Sequence, residues 1–292
     1  MKRKQENNNS HNSLDLFMSG FIDHKLALFE ESIKARLSTQ VTHTTVNIPS
    51  LNIQATTSEY VRPELTDILN LLIDGHNVFI TGESGTGKSY LASQVSQILA
   101  LPYGYLNCSL GTNVNDLYGR HTPVGFQSGL FWNCIKDGGV FLLDEMDAAD
   151  ESVLLSVNTI LSSKKGSLVY NKNNGESCLI NNNFYLLAAG NTKLNGASLT
   201  YNSRNKLDGA FVNRFTCVNV GYDDVIEKSL CDEETHAILN EMRVKLKKND
   251  CSELITTRDF EKFYKLKTRF GKDKAIKLFT NLWSDEAQDA IR

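Results

Sequence analysis

The sequence predicts an α/β fold: a parallel sheet with flanking helices, a helical arm before it and a small all-helical subdomain after it. Three observations predict this. The apolar run Asn77-Val-Phe-Ile-Thr81 enters a glycine-rich turn and then a helical pattern. Further short apolar runs at 103–108, 140–143, 184–189 and 216–220 alternate with helical patterns, as parallel strands joined by crossover helices do. From about Asp223 the strands cease, and charged amphipathic segments follow near 223–247, 257–270 and 272–283.

Taken in order, residues 1–13 are polar and Asn-rich and are expected to be disordered. From Leu14 to Leu37 apolar residues recur at helical spacing, so an amphipathic helix is expected, packed on the chain's own core or a neighbouring subunit, with an adaptor-binding arm as the alternative. Residues 41–53 alternate loosely, as a two-strand ribbon would. A helix over 60–73, entered through Pro63, turns Leu65, Ile68, Leu71 and Leu72 inward and ends at Asp74-Gly75. The helix after the glycine-rich turn carries Leu91, Ala92, Val95, Ile98 and Leu99 on one face. Val140-Phe-Leu-Leu143 reads as a strand covered on both sides. A helix from Asp150 or Glu151 follows, buried through Val153, Leu154, Val157, Ile160 and Leu161, and 167–180 reads as a β-hairpin.

Composition excludes several classes. A chain of 292 residues with 41% hydrophobic and 22% charged residues is ordinary for a globular protein. A net charge of −3 gives no support to a strongly basic nucleic-acid binder. No apolar run reaches the length of a membrane span, and no apolar core of a signal peptide follows the basic first residues. The six cysteines lack metal spacing and read as buried or partly buried thiols of a reducing, cytoplasmic protein.

The chemistry centres on Gly82-Glu-Ser-Gly-Thr-Gly-Lys-Ser89, a complete phosphate-binding loop pattern. Gly82, Gly85 and Gly87 are expected to take backbone angles that side chains forbid, so that successive N–H groups converge on phosphate oxygens. The nucleotide-binding set is therefore Gly82, Glu83, Ser84, Gly85, Thr86, Gly87, Lys88, Ser89 and the adjoining Tyr90. Lys88 is expected on the β- and γ-phosphates and Ser89 on magnesium. Asp144 and Glu145 end a buried strand, where open α/β sheets place ligands. Asp144 is expected to hold the magnesium, and Glu145 to orient and deprotonate water. On residues alone, Asn191 starts a turn and Arg214 is a surface arginine.

The order of these elements resembles the AAA+ ATPases of the dynein-related, MoxR-like group, and within it the cobaltochelatase-small-subunit-like ATPases of bacteria and tailed phages. The resemblance is carried by Asp116-Leu-Tyr-Gly-Arg120, Gly129-Leu-Phe131, Gly138-Gly-Val-Phe-Leu-Leu-Asp-Glu145 and Ala188-Ala-Gly-Asn-Thr192. Tyr201-Asn-Ser-Arg-Asn-Lys-Leu-Asp208, Asn213-Arg-Phe215, Gly221-Tyr-Asp-Asp224 and Glu227 complete it. It spans about residues 46–290. It implies that Asn191 is the sensor-1 residue, that Arg214 is an arginine finger serving a neighbouring subunit, and that Arg258 is the sensor-2 residue near the γ-phosphate. The hairpin 167–180 and residues 119–128 fall at two inserts that face the pore or substrate of a ring. Asn213 replaces the usual aspartate before the Arg-Phe pair, and Gly190 replaces a more common residue before the asparagine. The implied domains are a tail (1–13), an arm and ribbon (14–58), an AAA+ domain (59–222) and a helical lid (223–292).

The function expected is a ring-forming ATPase, hexameric, using ATP and Mg2+ to remodel a protein partner; relatives often work with a von Willebrand factor A domain. The alternative is a nucleic-acid-directed motor or loader, which could use GTP, as a related restriction-motor branch does. Lys164, Lys165 and Lys172 could touch nucleic-acid phosphates, but solvated loop lysines are the ordinary explanation. A nucleotide switch or kinase without a ring is the third candidate, and it needs no arginine finger.

Overall fold

The computed structural model describes residues 60–192 and 208–292, together with the backbone of two strands, β1 (Thr44–Ile48) and β2 (Ile53–Thr57). The expected tail, the amphipathic helix of 14–37 and residues 201–207 of the motif above lie outside the described residues. The ribbon exists as the two-stranded sheet β1–β2, with its second strand starting where the alternation was expected to end. Everything from Arg62 onward that is described falls within one compact unit of the chain.

The sheet has five parallel strands: β3 (Asn77–Thr81), β4 (Tyr103–Asn107), β7 (Gly139–Asp144), β10 (Phe184–Gly190) and β11 (Phe215–Asn219). Their spatial order is β11-β3-β10-β7-β4. After β3 the chain goes to the far edge and returns strand by strand, so β3 ends between β10 and β11. That reversal is the crevice where open parallel sheets hold ligands.

β3, β7 and β10 are covered on both faces, as near-continuous apolar runs require, whereas the edge strands β4 and β11 are partly exposed. Leu186 pairs with Phe141, and Ala188 with both Phe79 and Leu143, so these side chains share one face. Against that face pack α4 (Leu130–Asp137) and α5 (Glu151–Ser162), through Phe131, Trp132, Val153 and Val157. The Phe131 ring lies 5.0 Å from Phe141 and 6.0 Å from Phe184, centroid to centroid. Each such buried side chain stabilises the fold by about 1.5–3 kcal/mol. α1 (Pro63–Ile73) packs on β3 and β11, and α2 (Lys88–Ile98) on β7 and β10.

Local chemistry sets the helix boundaries. α1 begins at Pro63, not at Tyr60: proline suits the first helical turn, while the residue before it, Arg62, is held extended. Its buried side is Leu65, Ile68, Leu69 and Leu72, so Leu69 takes the place expected of Leu71. Gly75, at φ +87°, stops it. In α2 the buried positions include Leu91, Ala92, Gln94 and Val95, while Ile98 and Leu99 are only partly covered. Elements without an expectation include a short α3 (Val114–Tyr118) and the hairpin β5 (Gly119–Thr122)–β6 (Gly125–Ser128). The hairpin β8 (Leu168–Tyr170)–β9 (Ser177–Leu179) forms as expected. The two hairpins are tied together, since the Asn173 side chain donates to the Gly119 carbonyl at 2.7 Å and Asn171 to that of Tyr118 at 2.8 Å.

Past α6 (Gly209–Val212) and β11 the chain is helical: α7 (Asp224–Leu230), α8 (Glu233–Lys248), α9 (Thr257–Phe270), α10 (Lys272–Thr280) and α11 (Asp285–Ile291). The expected first segment is thus two helices, broken at Cys231-Asp232. The subdomain has a core of its own around Leu239, Met242, Phe260, Phe263 and Phe279. Of the cysteines, Cys108 and Cys134 are buried and Cys178, Cys231 and Cys251 half-buried, while Cys217 is exposed, against the expectation for it. No helix among the described residues is long and apolar enough to cross a membrane.

Packing at β4 is tight enough to predict an effect. A Cβ at Gly104 would stand 2.5 Å from Phe141 Cδ2 and 2.9 Å from Cys134 Sγ. Gly104→Ala is expected to destabilise the protein by about 1–3 kcal/mol, read as a lower urea midpoint at unchanged slope.

Candidate functional site

The phosphate loop fills the turn between β3 and α2. Gly85 and Gly87 adopt φ +74° and +88°, as expected of glycines that turn N–H groups inward. Gly82 differs: its φ is not in the left-handed region, and its need for glycine is steric. A Cβ there would lie 2.1 Å from the Val220 carbonyl oxygen, just past the end of β11. The loop closes on itself where Thr86 Oγ1 donates to the Glu83 carbonyl at 2.9 Å. α2 starts at Lys88 and aims its N-terminal dipole end into the turn.

Lys88 is buried, and its Nζ donates to the Gly82 and Glu83 carbonyls, each at 2.9 Å, and to Asn191 Oδ1 at 2.8 Å. Asn191 therefore does more than open a turn: it follows β10, the neighbour of β3, and its amide meets the loop lysine. Ser89 Oγ donates to Asp144 Oδ2, joining the start of α2 to the end of β7. Asp144 Oδ1 accepts from the Glu145 backbone N–H at 2.9 Å. Glu145 stands at φ +51°, a left-handed conformation that costs a non-glycine residue roughly 1–2 kcal/mol and turns the chain away from the strand.

The residues fit a magnesium ion. Ser89 Oγ and Asp144 Oδ2 are hard oxygen donors in mutual contact, the pairing magnesium takes alongside phosphate oxygens and water. Burial first, then the carboxylates of Asp144, Asp147 and Glu145, push the Cys108 thiol up to about 12.

Lys88, Ser89, Asp144, Glu145 and Asn191 line one cleft of about 360 Å³ with Ser84 through Gly87, Tyr90 and, from the lid, Thr257 and Arg258. Arg258 sits in the first turn of α9, within the helical segment expected over 257–270. A larger groove of about 840 Å³ beside α5 contains none of the loop, so the side chains, not the size of the hollow, identify the site. Arg214 is not in the cleft. Its Nη1 donates to the Asn158 carbonyl at 2.8 Å and to Ser162 Oγ, at the C-terminal end of α5, where a cation is favourable. Asn213 caps α6 and is exposed.

Two residues of the site carry no signal in the sequence reading. Asp147 is fully buried, and its Oδ2 accepts from the N–H groups of Asn191 and Thr192, both at 3.1 Å, and from Thr192 Oγ1 at 2.9 Å. It thereby fixes the backbone that carries Asn191. It also accounts for Gly190, where a Cβ would stand 2.9 Å from the Phe79 ring and 3.1 Å from Asp147 Cγ. The absent side chain leaves room for the carboxylate. The spacing Asp144-Glu-Met-Asp147 was the one available hint. Arg62, also buried, donates from Nη1 to the Thr86 carbonyl at 2.6 Å and from Nη2 to the Gly221 carbonyl at 2.7 Å. Its Nε lies 3.5 Å from Asp223 Oδ2, so it ties the loop to the entry of the lid.

Residues 77–215 match the profile of the AAA domain of the dynein-related subfamily. The chain is 30% identical to midasin of Giardia intestinalis over 96 residues, 32% of this chain and 2% of that protein. It is 28% identical to the uncharacterized protein YojN of Bacillus subtilis over 166 residues, 54% of this chain and 52% of YojN. The matched region thus spans about half of the bacterial relative and a small part of midasin. Among solved structures, a mutant of RuvB from Thermotoga maritima superposes with a TM-score of 0.46 at 13% identity, covering 80% of this chain and 70% of that one.

Asp147 yields a prediction separable from hydrolysis. Asp147→Ala removes the acceptor of three hydrogen bonds inside a closed core and is expected to cost about 2–4 kcal/mol in urea unfolding. A change below about 0.5 kcal/mol, within the scatter of surface substitutions, would show that the Asn191 backbone is held by other means.

Proposed function

We propose that this chain, built on an AAA+ core, is an ATP hydrolase that works as a ring of identical copies, six by family resemblance, and remodels a protein partner. One observation carries the reading. Lys88, Ser89, Asp144, Glu145, Asn191 and Arg258 meet in a single cleft on the phosphate loop, while Arg214 lies outside it on α5. The first set can bind and polarise a nucleoside triphosphate; the arginine is left for a neighbour.

In this reading the loop amides and Lys88 hold the phosphates, and Ser89 and Asp144 hold the magnesium, which supplies charge neutralisation to the transferring phosphoryl group. Glu145 accepts a proton from the attacking water while Asn191 orients it. Arg258 contacts the γ-phosphate from the lid, and Arg214 of an adjacent copy stabilises charge in the transition state. ATP rather than GTP follows from family resemblance alone, because the loop reads phosphates and not the base. A cytoplasmic location, and a partner with a von Willebrand factor A domain, belong to the same reading.

The nucleic-acid alternative loses one of its three lysines. Lys165 Nζ lies 3.7 Å over the Tyr185 ring, and burial lowers its pKa, so it is committed to the fold.

ATPase rate and solution mass, measured together over a concentration series with Mg2+, test the proposal. Turnover per chain should rise with assembly. Lys88→Ala should abolish nucleotide binding, and Glu145→Gln should bind without turnover. Arg214→Ala should lose about 10³-fold or more in rate. A mixture of Arg214→Ala and Glu145→Gln chains should regain activity that neither has alone. Full turnover by a monomer, with Arg214→Ala harmless, would sink the ring. DNA-dependent stimulation would favour the nucleic-acid alternative.

A further inference from the structure

Two consecutive residues of the phosphate loop are touched by the lid or its hinge, and a third is tied to the hinge through Arg62. The Tyr222 hydroxyl donates to the Ser84 carbonyl at 3.1 Å. Thr256 packs so closely on Gly85 that a Cβ there would stand 2.6 Å from the threonine Cβ. Arg62 holds the Thr86 carbonyl and the hinge carbonyl of Gly221 together. The lid is therefore a wall of the nucleotide site, and whatever fixes its first turns fixes the site.

That anchor is Arg243, on α8, outside the cleft. Its Nη1 and Nη2 form a two-pronged ion pair with Glu227 at 3.0 and 2.9 Å, and Glu227 is nearly fully buried. Nε and Nη2 donate to the Ile255 carbonyl at 3.1 and 2.8 Å, and Nη1 also reaches Asn240 Oδ1 at 3.3 Å. The guanidinium carbon lies 4.1 Å from the Tyr222 ring centre and 5.1 Å from that of Phe260. Thr257 Oγ1 donates to the same Glu227 at 3.0 Å. One planar cation thus pins the residue three before Arg258 directly, and through Glu227 the residue immediately before it. It also backs the ring whose hydroxyl holds the phosphate loop. Lysine has neither the fork nor the plane to do this.

We propose that Arg243 is a positioning residue: with Glu227 and Thr257 it sets the direction in which Arg258 enters the cleft, and so the preference of the site for a triphosphate over a diphosphate. The proposal rests on the nucleotide reading above, in which Arg258 meets the γ-phosphate. A displaced arginine loses its contact while the loop, which holds the other phosphates, keeps its own.

Equilibrium binding to the full chain of a fluorescent non-hydrolysable ATP analogue and of the matching ADP analogue, both with Mg2+, provides the test. The variants are Arg243→Lys, Thr257→Val, Arg258→Ala and the two double variants with Arg258→Ala, each checked by thermal unfolding. Wild type should prefer the triphosphate. Arg243→Lys should weaken triphosphate binding about tenfold and diphosphate binding less than about twofold, and in the Arg258→Ala background its effect should disappear, because coupled residues are non-additive. Thr257→Val, which deletes one hydroxyl, should show the same pattern more weakly and serves if Arg243→Lys does not fold. Equal weakening of both ligands, or an undiminished effect without Arg258, overturns the positioning role. Wild type binding neither analogue overturns the nucleotide reading itself. Wild type binding both equally overturns only the role of Arg243.

Discussion

A lysine removed from water governs this site. The Lys88 ammonium is buried, and a buried charge is tolerable only if nearby oxygens replace its hydration. Two come from the start of the loop and the third from Asn191, which lies beyond a different strand. That third oxygen is within reach only because β10 lies beside β3, an arrangement the returning strand order provides. Asn191 must also face the lysine, and the Asp147 carboxylate secures this by gripping the backbone N–H groups of Asn191 and Thr192. Asp147 in turn needs the space that Gly190 leaves. A local motif, a sheet topology, a buried acid and a missing side chain follow from one another in that order.

What the sequence disclosed and what it withheld divide along the range of the interactions. Strands β3, β7 and β10 were legible because burial on both faces leaves an apolar run, and Asp144-Glu145 because two acids end such a run. Within the loop, Gly85 and Gly87 were legible for the right reason, a backbone angle. Gly82 was not, because its constraint is the Val220 carbonyl, far along the chain. Arg62 and Arg243 left no local trace, and Asp147 only its spacing from Asp144. Asp147 bonds to Asn191 and Thr192, Arg62 to Thr86 and Gly221, and Arg243 to Glu227 and Ile255, so none shares a periodic pattern with its partners. Leu69 replacing Leu71 on α1 is a smaller case. Both lie within one turn of the apolar stripe, and only the neighbouring strands decide which is covered.

The lid shows how polar groups can be buried without loss. Glu227 would be costly alone where it is buried, and its pair with the half-buried Arg243 is weak evidence of added stability. Its worth lies in direction. A two-pronged pair lying beside two aromatic rings restricts direction more than an apolar contact of the same size, which would slide. The rigidity is placed at the end of the lid that meets the loop, while the far end is held by ordinary packing around Phe263 and Phe279.

Arg214 follows a different geometric logic. The cleft lies at the C-terminal ends of the strands, and β11 runs parallel to β3 with Arg214 just before its first residue. A five-residue strand rises about 3.3 Å per residue, so roughly 15 Å of sheet separates that arginine from the phosphate-loop end. Its side chain is too short to cross that distance. It is also engaged with the α5 terminus on the side of the sheet where α4 and α5 pack. Within one chain, then, Arg214 can brace α5 but cannot reach the phosphates of its own site. Under the proposed function, direct contact of Arg214 with phosphates would come in another copy, and that ties the proposed turnover to assembly rather than to the cleft alone.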